Sequence, residues 1–252
     1  MPVKTWIGSE LNPMDGLFTL NEACLSEIGN AVSLIRDNPL PLLMLCPSNF
    51  HMPKCKELIN TVFDCLENGF GFCLLDRLPL EDMTDNEAKS IYWLLSQMLG
   101  RPVAQKWCDG RMLYSVTDLG RPSGNGVRPD VTNEEQSFHT DNSYNICPPN
   151  IVGLLCLQPS MSGGLSRVVN MKTVLERMET SNKTNIQRLY RPFVFDRQKE
   201  HSELDPVTLE NPILNCNGES LRIRVSRNLI YQGYALRGES ICLLYTSPSP
   251  RD

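Results

Sequence analysis

The 252-residue sequence has no long hydrophobic run, and this absence excludes a transmembrane helix of ordinary length. Its most apolar segment, residues 40–46, is interrupted by Pro41, whereas about 18 continuous apolar residues are needed to cross a bilayer. The first residues show neither the apolar core of a secretion signal nor the arginine-rich helix of a transit peptide. We therefore expect a cytoplasmic protein with no membrane partner.

The sequence also lacks an excess of basic residues. It has 24 Lys and Arg against 29 Asp and Glu, a net charge of -5, and no lysine-rich or arginine-rich run. A nucleic-acid partner is disfavoured for that reason. With 41% hydrophobic and 21% charged residues, the composition is that of a globular protein that can bury a full core.

A third absence concerns metal and redox motifs built from cysteine. None of the ten cysteines forms a Cys-x-x-Cys pair, and most of them have apolar neighbours. The pattern disfavours zinc sites and disulfides and favours reduced thiols in the core.

Three helices are predicted in the first hundred residues, each from its start and stop signals. The pattern Thr19-x-x-Glu22 is a capping box ahead of apolar residues at helical spacing. Pro53 and Gly69 suit the first position and the end of a second helix. A third helix is predicted from a capping box at residues 84–87 to Gly100. Residues 71–75 form a predicted buried strand.

Beyond the third helix, short apolar or alternating runs between Gly, Pro, Asn and Ser predict an all-β sandwich or barrel. In the last run Leu221, Ile223 and Val225 alternate with Arg222 and Arg224, which predicts one buried and one wet face. The candidate strands are residues 112–117, 137–141, 151–158, 165–170, 192–195 and 220–226, with a short helix at 173–178. The predicted fold class is mostly β with flanking helices (α+β), as helices leading into a barrel.

With only three histidines, imidazole chemistry has few possible locations. His139 stands in the run Phe138-His139-Thr140-Asp141. Residues two apart on a strand project from the same face, so this imidazole and carboxylate can converge on one cation. The pair supplies two of the three ligands of a 2-His-1-carboxylate iron site. The spacing alone also fits a strand-end histidine hydrogen-bonded to a nearby aspartate.

The residues around this pair resemble one enzyme family. Residues 138–144, the strand 151–158 and the run Ser162-Gly163-Gly164-Leu165-Ser166-Arg167 resemble the iron-binding strand and Gly-Gly turn of the TauD/TfdA-like family. These are Fe(II)- and 2-oxoglutarate-dependent dioxygenases. Further similarity at residues 69–72, 191–197 and 227–234 extends the resemblance to roughly residues 55–240. The resemblance implies a double-stranded β-helix (jelly-roll) barrel with an N-terminal helical portion.

The resemblance also implies roles for individual residues. It makes His139 and Asp141 iron ligands and Ser166 a hydroxyl donor to 2-oxoglutarate. The implied reaction hydroxylates an unactivated C–H bond of a small organic substrate with dioxygen, and converts 2-oxoglutarate to succinate and CO2. Three protein ligands leave three positions on octahedral iron for the co-substrate and dioxygen.

Candidate substrate contacts lie around the loop of residues 118–133, which comes just before the metal strand. They are Tyr114, Arg128 and Asn142. A solvated surface loop is an equally good interpretation of this segment.

The last part of the sequence departs from the family pattern. A second histidine ligand and an arginine for the distal carboxylate of 2-oxoglutarate are expected well past Gly238 and are not present. His201 is a weaker candidate for that ligand, because its surroundings show no apolar alternation. We expect residues 1–240 to be a family domain without its C-terminal part, with a barrel incomplete at the C-terminus. Residues 241–252 resemble translated sequencing adapter and are expected to be a non-native tail, although a genuine disordered end is the alternative.

Two alternatives to a fully active dioxygenase remain open. Missing ligands predict that this chain is weakly active or inactive, and a non-catalytic β-barrel binding module with a decayed metal site is the other possibility. A serine hydrolase is disfavoured because the chain has no Gly-x-Ser-x-Gly elbow. The sequence specifies neither the primary substrate nor an oligomeric state.

Overall fold

The computed structural model describes residues 4–120, 131–181, 183–217 and 220–240. Helices and strands are mixed along the chain, which confirms the predicted combination of the two, but the described residues form long helices and short strands rather than the mostly β structure that was predicted. The chain forms two compact units, one of Met1–Pro102 with Gly153–Thr173 and one of Val103–Val152 with Val174–Asp252. In the described part of the chain, no helix is both long enough and apolar enough to cross a membrane.

The first unit is built on three helices that pack against one another. They are α1 (Glu22–Asp37), α2 (Pro53–Asn68) and α3 (Asp85–Leu99). Strands β1 (Leu17–Thr19) and β2 (Leu74–Asp76) form a two-stranded parallel sheet. The helices bury one apolar face each, and the fully buried side chains include Cys24, Ile28, Cys55, Ile91 and Leu94. Burial of these faces stabilises the helices more than their intrinsic propensities do.

Most of the predicted helix boundaries in this unit are confirmed. Pro53 is the first residue of α2 and Gly69 its C-cap, and α3 has the capping box at Thr84 and ends at Gly100. The predicted start of α1 is wrong. Asn21 is the N-cap, and its side-chain oxygen accepts a hydrogen bond from the backbone of Cys24, whereas Thr19 lies in β1. Asparagine is as good an N-cap as threonine, and Thr19 is already paired with Asp76 in the sheet.

The second unit combines two β-hairpins with helices. Strands β3 (Pro192–Asp196) and β4 (Thr208–Pro212) pair antiparallel, as do β5 (Leu214–Asn217) and β6 (Ser220–Ile223). Helix α4 (Met171–Ser181) contributes Leu175 to the core of this unit, and α5 (Lys183–Leu189) and α6 (Arg227–Arg237) follow. The core consists of Tyr144, Leu175, Leu189, Phe193, Phe195, Ile213, Leu214, Leu229 and Ile230.

Helix α6 packs on strand β3 at a glycine. A Cβ atom on Gly233 would lie 2.6 Å from the backbone oxygen of Val194 and 2.9 Å from the backbone nitrogen of Asp196. Only a residue without a side chain allows helix and strand to approach this closely. The N-terminal end of α6 lies beside His139, because the N-cap residue Ser226 forms a β-bridge with it.

Several predicted strands differ from the structure. Residues 112–117, 151–158 and 165–170 form no strand, and residues 137–141 contribute one isolated bridge. The described residues form three two-stranded sheets rather than a closed barrel. A strand forms only when a neighbouring strand provides hydrogen-bonding partners, and an alternation of apolar residues does not show whether such a neighbour is present.

Candidate functional site

The predicted metal ligands lie on an extended segment of the second unit, beside the residues that lead into α6. His139 forms an antiparallel bridge with Ser226. Next to it, the backbone nitrogen of Thr140 donates to the backbone oxygen of Val225 at 2.7 Å, and the Thr140 hydroxyl accepts from the Val225 nitrogen at 3.0 Å. Because these bonds hold the segment extended, His139 and Asp141 project to the same side.

The two side chains meet. Nε2 of His139 is 3.4 Å from Oδ1 of Asp141, and Nδ1 donates to the backbone oxygen of Ser137 at 2.8 Å. With Nδ1 donating to this carbonyl, Nε2 is the ring nitrogen that faces the carboxylate, and it can either carry a proton shared with Asp141 or, once deprotonated, bind a metal ion, as in histidines oriented by second-sphere carbonyls. Neighbouring ligands of an octahedral ion lie about 3 Å apart when metal–ligand distances are about 2.1 Å. The observed separation therefore suits a shared cation with little movement.

The pair is accessible and electrostatically coupled. The side chains of His139 and Asp141 are 36% and 49% exposed, so a cation can reach them from solvent. Hydrogen bonding to Asp141 is the main cause that raises the pKa of His139 above its usual value, with the Ser137 carbonyl acting in the same direction and burial opposing. A proton and a metal ion therefore compete for the same nitrogen.

A turn follows Asp141 immediately. Asn142 adopts a left-handed conformation with φ of 48°, and its backbone oxygen accepts from the Asn145 nitrogen at 2.9 Å. Its side-chain oxygen accepts from the Tyr144 hydroxyl at 3.3 Å, and Asn211 donates to the backbone oxygen of Tyr144. Asparagine tolerates this conformation better than most residues. The amide predicted to meet substrate thus takes part in the turn.

Arg224 corrects the prediction of a wet face on the last strand. It is 3% exposed, whereas Leu221, predicted to be buried, is 39% exposed. Strand β6 ends at Ile223, so the alternation of faces does not continue to Arg224. The guanidinium is satisfied by backbone oxygens: Nη1 contacts those of Ser143 and Asn145, and Nη2 contacts that of Ile146. A charged hydrogen bond of normal length contributes about 1.5–3 kcal/mol, which helps to offset the cost of burial. The contact with Asn145 is close, whereas those with Ser143 and Ile146 are 3.5 Å and weaker.

The other predicted site residues lie apart from this segment in the chain. Ser166 is exposed in the first unit, after Gly163 and Gly164, which adopt left-handed conformations with φ values of 72° and 70°. Tyr114 is half-buried in the second unit with Lys106 Nζ 4.2 Å from its ring centroid. Arg128 lies outside the described residues.

His201, the alternative ligand, lies in the loop between β3 and β4, also in the second unit. Its Nδ1 bonds the backbone oxygen of Ser202 at 2.8 Å. Among the residues that the structure describes, no three His, Cys, Asp or Glu side chains form a group that could hold a metal ion. His201 therefore does not complete a three-ligand group with His139 and Asp141.

An open groove of about 420 Å³ lies next to Ser137, the residue that orients His139. Its lining residues are Ser137, Arg227, Asn228, Tyr231 and Gln232. The Arg227 guanidinium carbon lies 5.2 Å from the ring centroid of Tyr231, which places positive charge along the groove. Sequence reasoning did not single out these side chains, although residues 227–234 belong to a stretch with family resemblance.

An imidazole and a carboxylate that can share one cation, with the imidazole fixed by a backbone carbonyl, are the donor chemistry of mononuclear non-haem iron enzymes. The chain belongs to the family described as taurine catabolism dioxygenase TauD, TfdA family, whose sequence model matches residues 38–227. Members of this family generally use Fe(II) and 2-oxoglutarate.

A curated relative supports this membership. The chain is 26% identical over 224 residues to the FR-33289 synthase of Streptomyces rubellomurinus (strain ATCC 31215). The match covers 88% of this chain and 64% of the length of that protein, so the chain spans less than two thirds of its relative.

Proposed function

We propose that this chain is part of an Fe(II)- and 2-oxoglutarate-dependent dioxygenase that hydroxylates an unactivated C–H bond of a small organic substrate. The observation that carries the proposal is the side-by-side placement of His139 Nε2 and Asp141 Oδ1, 3.4 Å apart, in a chain of the TauD/TfdA family. Bound iron supplies the coupling of dioxygen and 2-oxoglutarate to substrate oxidation, with succinate and CO2 as co-products. The chain's own contribution is to bind and orient the reactants.

His139 and Asp141 are the proposed iron ligands. Ser137 holds the imidazole through Nδ1, and the Thr140–Val225 bonds keep both side chains on one side. Both ligand atoms are open to solvent, so loading needs no local unfolding. The same openness means that water exclusion must come from substrate or from further parts of the protein.

Ser166 is the proposed hydroxyl donor to 2-oxoglutarate, and Tyr114, Arg128 and Asn142 are proposed substrate contacts. The left-handed conformations of Gly163 and Gly164 support the first assignment, because glycine alone adopts them at little cost and the exposed Ser166 follows two residues later. Asn142 adjoins Asp141 directly, so its backbone lies within reach of anything bound at the pair.

For the fold we propose a double-stranded β-helix to which residues 1–240 belong as one family domain. The family match runs through residues of both compact units, and β3 to β6 are antiparallel hairpins of the kind from which such barrels are built. The proposed non-native tail, residues 241–252, lies outside the described residues.

A metal titration tests the proposed ligands. Wild-type protein freed of metal should bind Co²⁺ with a visible absorption band of nitrogen and oxygen coordination. His139→Ala and Asp141→Ala each remove one of two ligands and should weaken binding at least tenfold. His201→Ala is the matched control, because this imidazole also bonds a backbone carbonyl through Nδ1 but lies in the loop between β3 and β4 and forms no three-ligand group with His139 and Asp141 among the described residues. Equal loss in the control and in His139→Ala would contradict the two-ligand site.

We propose that these residues alone turn over weakly, since the described part of the chain contains no three-ligand group. Succinate release from 2-oxoglutarate should be slow, dependent on Fe(II), and abolished by His139→Ala. Turnover at the rate of typical enzymes, with kcat of about 10 per second, would overturn this statement.

A non-catalytic binding module is the second candidate function, favoured by the same absence of a three-ligand group among the described residues. This candidate predicts that ligands bind the wild type and the Asp141→Ala variant equally, with no succinate formed in either. Metal-dependent succinate release would exclude it.

A further inference from the structure

The best-buried charge near the candidate site belongs to a residue with no assigned role. Arg224 is 3% exposed, and its guanidinium contacts the backbone oxygens of Ser143, Asn145 and Ile146. These oxygens belong to residues 143–146, which lie in and directly after the turn that follows Asp141. Burial lowers the pKa of Arg224, and the charge of Arg222 acts in the same direction.

Backbone hydrogen bonds of Arg224 and of its neighbour Val225 connect this segment to two other parts of the second unit. The Arg224 nitrogen donates to the backbone oxygen of Ile213 at 2.9 Å, which anchors it to the segment between β4 and β5. Its chain neighbour Val225 pairs with Thr140, between the two proposed ligands. A guanidinium can serve three acceptors at once because its donors point in fixed directions in one plane.

We propose that Arg224 is the positioning residue for the two proposed metal ligands. By contacting three backbone carbonyls of residues 143–146, it holds Asp141 beside His139. The proposal rests on the proposed function for the identity of the ligand, a divalent transition-metal ion, but the hold on the turn can be measured without metal. The guanidinium of Arg224 contacts backbone oxygens of residues 143–146, so its proposed effect on the ligands is through the backbone.

The alternative to this role is a buried cation that stabilises the second unit in general. The two roles differ in where a substitution acts. Loss of a general stabiliser lowers the melting temperature and increases hydrogen exchange across the core, whereas loss of a positioning residue acts mainly on residues 139–147 and on metal affinity.

The experiment compares Arg224→Lys and Arg224→Met with Arg222→Met as the matched control. Arg222 lies two residues earlier, is exposed, and carries the same charge. Lysine keeps the charge and most of the volume of Arg224, but a single ammonium cannot match the planar geometry of three acceptors, so this variant is the one expected to fold. Hydrogen-exchange mass spectrometry of peptides spanning residues 139–147 is measured without metal, and Co²⁺ affinity is then measured by titration.

We expect exchange in the 139–147 peptides to rise at least tenfold in Arg224→Lys, with exchange in β3 and α6 unchanged. Co²⁺ affinity should fall about 10- to 100-fold, the usual effect of losing a residue that supports metal ligands, and Arg222→Met should stay within twofold of wild type. An Arg224→Lys variant with wild-type exchange in this segment and wild-type affinity would overturn the proposal. So would a uniform rise in exchange across the unit.

The same measurements distinguish a failure of this inference from a failure of the proposed function. If wild-type protein binds no Co²⁺, the iron site is contradicted, and with it the metal part of the inference. The exchange data still decide separately whether Arg224 holds the turn.

Discussion

At the scale of single residues, the proximity of His139 and Asp141 follows from a local pattern in the chain. Alternation along an extended chain places residues two apart on one side, and the structure has them 3.4 Å apart. The orientation of the imidazole depends on one more local contact, the bond from Nδ1 to Ser137, also two residues away. Each of these relations lies within five consecutive residues.

The cysteines give a second residue-scale result. The nine that are described are free thiols, but the predicted core location holds only for Cys24 and Cys55, which are buried, whereas five of the nine are exposed. Burial raises the pKa of Cys55, and raises that of Cys73 to about 12. The exposed Cys46 has a lowered pKa because the Ser48 hydroxyl lies 3.1 Å from its sulfur. Reactivity follows the thiolate fraction and access.

We therefore predict that iodoacetamide at pH 8 labels Cys46 early in the native protein, while Cys55 reacts only after unfolding. Mass spectrometry of peptides along the time course measures both rates. Ser48→Ala should slow the labelling of Cys46, because it removes the hydrogen bond that favours the thiolate. Native-state labelling of Cys55 at the rate of Cys46 would contradict the buried position.

At the scale of elements, the start of α3 combines a cap with an ion pair. The Thr84 side chain accepts from the Glu87 nitrogen, and the Glu87 carboxylate accepts from the Thr84 nitrogen at 2.7 Å. Arg36 of α1 donates to the same carboxylate at 2.6 Å. The Glu87 carboxylate therefore caps its own helix, α3, and forms an ion pair with α1.

We predict that Thr84→Ala destabilises the first unit by about 1 kcal/mol, the usual effect of losing an N-cap side chain. Thr84→Ser keeps the hydroxyl and should have nearly the stability of wild type. Urea unfolding followed by circular dichroism measures the difference, and equal effects of the two substitutions would show that the cap is not what stabilises the helix.

The same cap predicts a pH dependence. Hydrogen bonding to Arg36, followed by the bond from the Thr84 backbone, lowers the pKa of Glu87 to about 2. A carboxyl whose pKa is lower in the folded than in the unfolded state stabilises the fold above about pH 4.3 and loses this effect as the pH falls towards 2. Thermal unfolding between pH 5 and 2 should therefore show a shallower acid dependence in Glu87→Gln than in wild type. An unchanged slope would contradict the lowered pKa.

The packing of α6 on β3 gives an element-scale prediction with its own control. Gly233→Ala would push a methyl group against the Val194 backbone and should destabilise the second unit by about 1–3 kcal/mol. Gly29→Ala in α1 meets nothing within 4 Å and should stabilise by about 0.5–1 kcal/mol. Chemical denaturation of both variants tests the pair, and a neutral Gly233→Ala would mean that helix and strand can separate at no cost.

At the scale of the whole molecule, metal binding should be visible as stability. A ligand at 100 times its Kd stabilises the folded state by about 2.7 kcal/mol, which raises the melting temperature of a protein of this size by roughly 5–10 °C. We predict such a rise with saturating Co²⁺ for wild-type protein and none for His139→Ala, measured by calorimetry. Mg²⁺, which prefers oxygen ligands, is the control and should have a smaller effect. A rise in His139→Ala equal to that of wild type would place the metal elsewhere.

Predictions from the sequence succeed or fail according to the range of the interactions involved. The boundaries of α2 and α3 follow from Pro53, Gly69 and the Thr84 cap, which act within one helical turn. The strands predicted at 112–117, 151–158 and 165–170 are not formed, because pairing depends on a partner distant in sequence. Arg224 was predicted to be solvated for the same reason: its acceptors lie about 80 residues earlier in the chain.

By itself, the sequence determined the helices of the first unit, the adjacency of His139 and Asp141, and the resemblance that the family match over residues 38–227 confirms. All three depend on residues that are close together in the chain or on a pattern that can be read along it. Only the tertiary structure decided that Arg224 is buried against the turn after Asp141 and that α6 meets β3 at Gly233. Burial and close packing are set by which distant segments meet, and a side chain's polarity does not specify its partners.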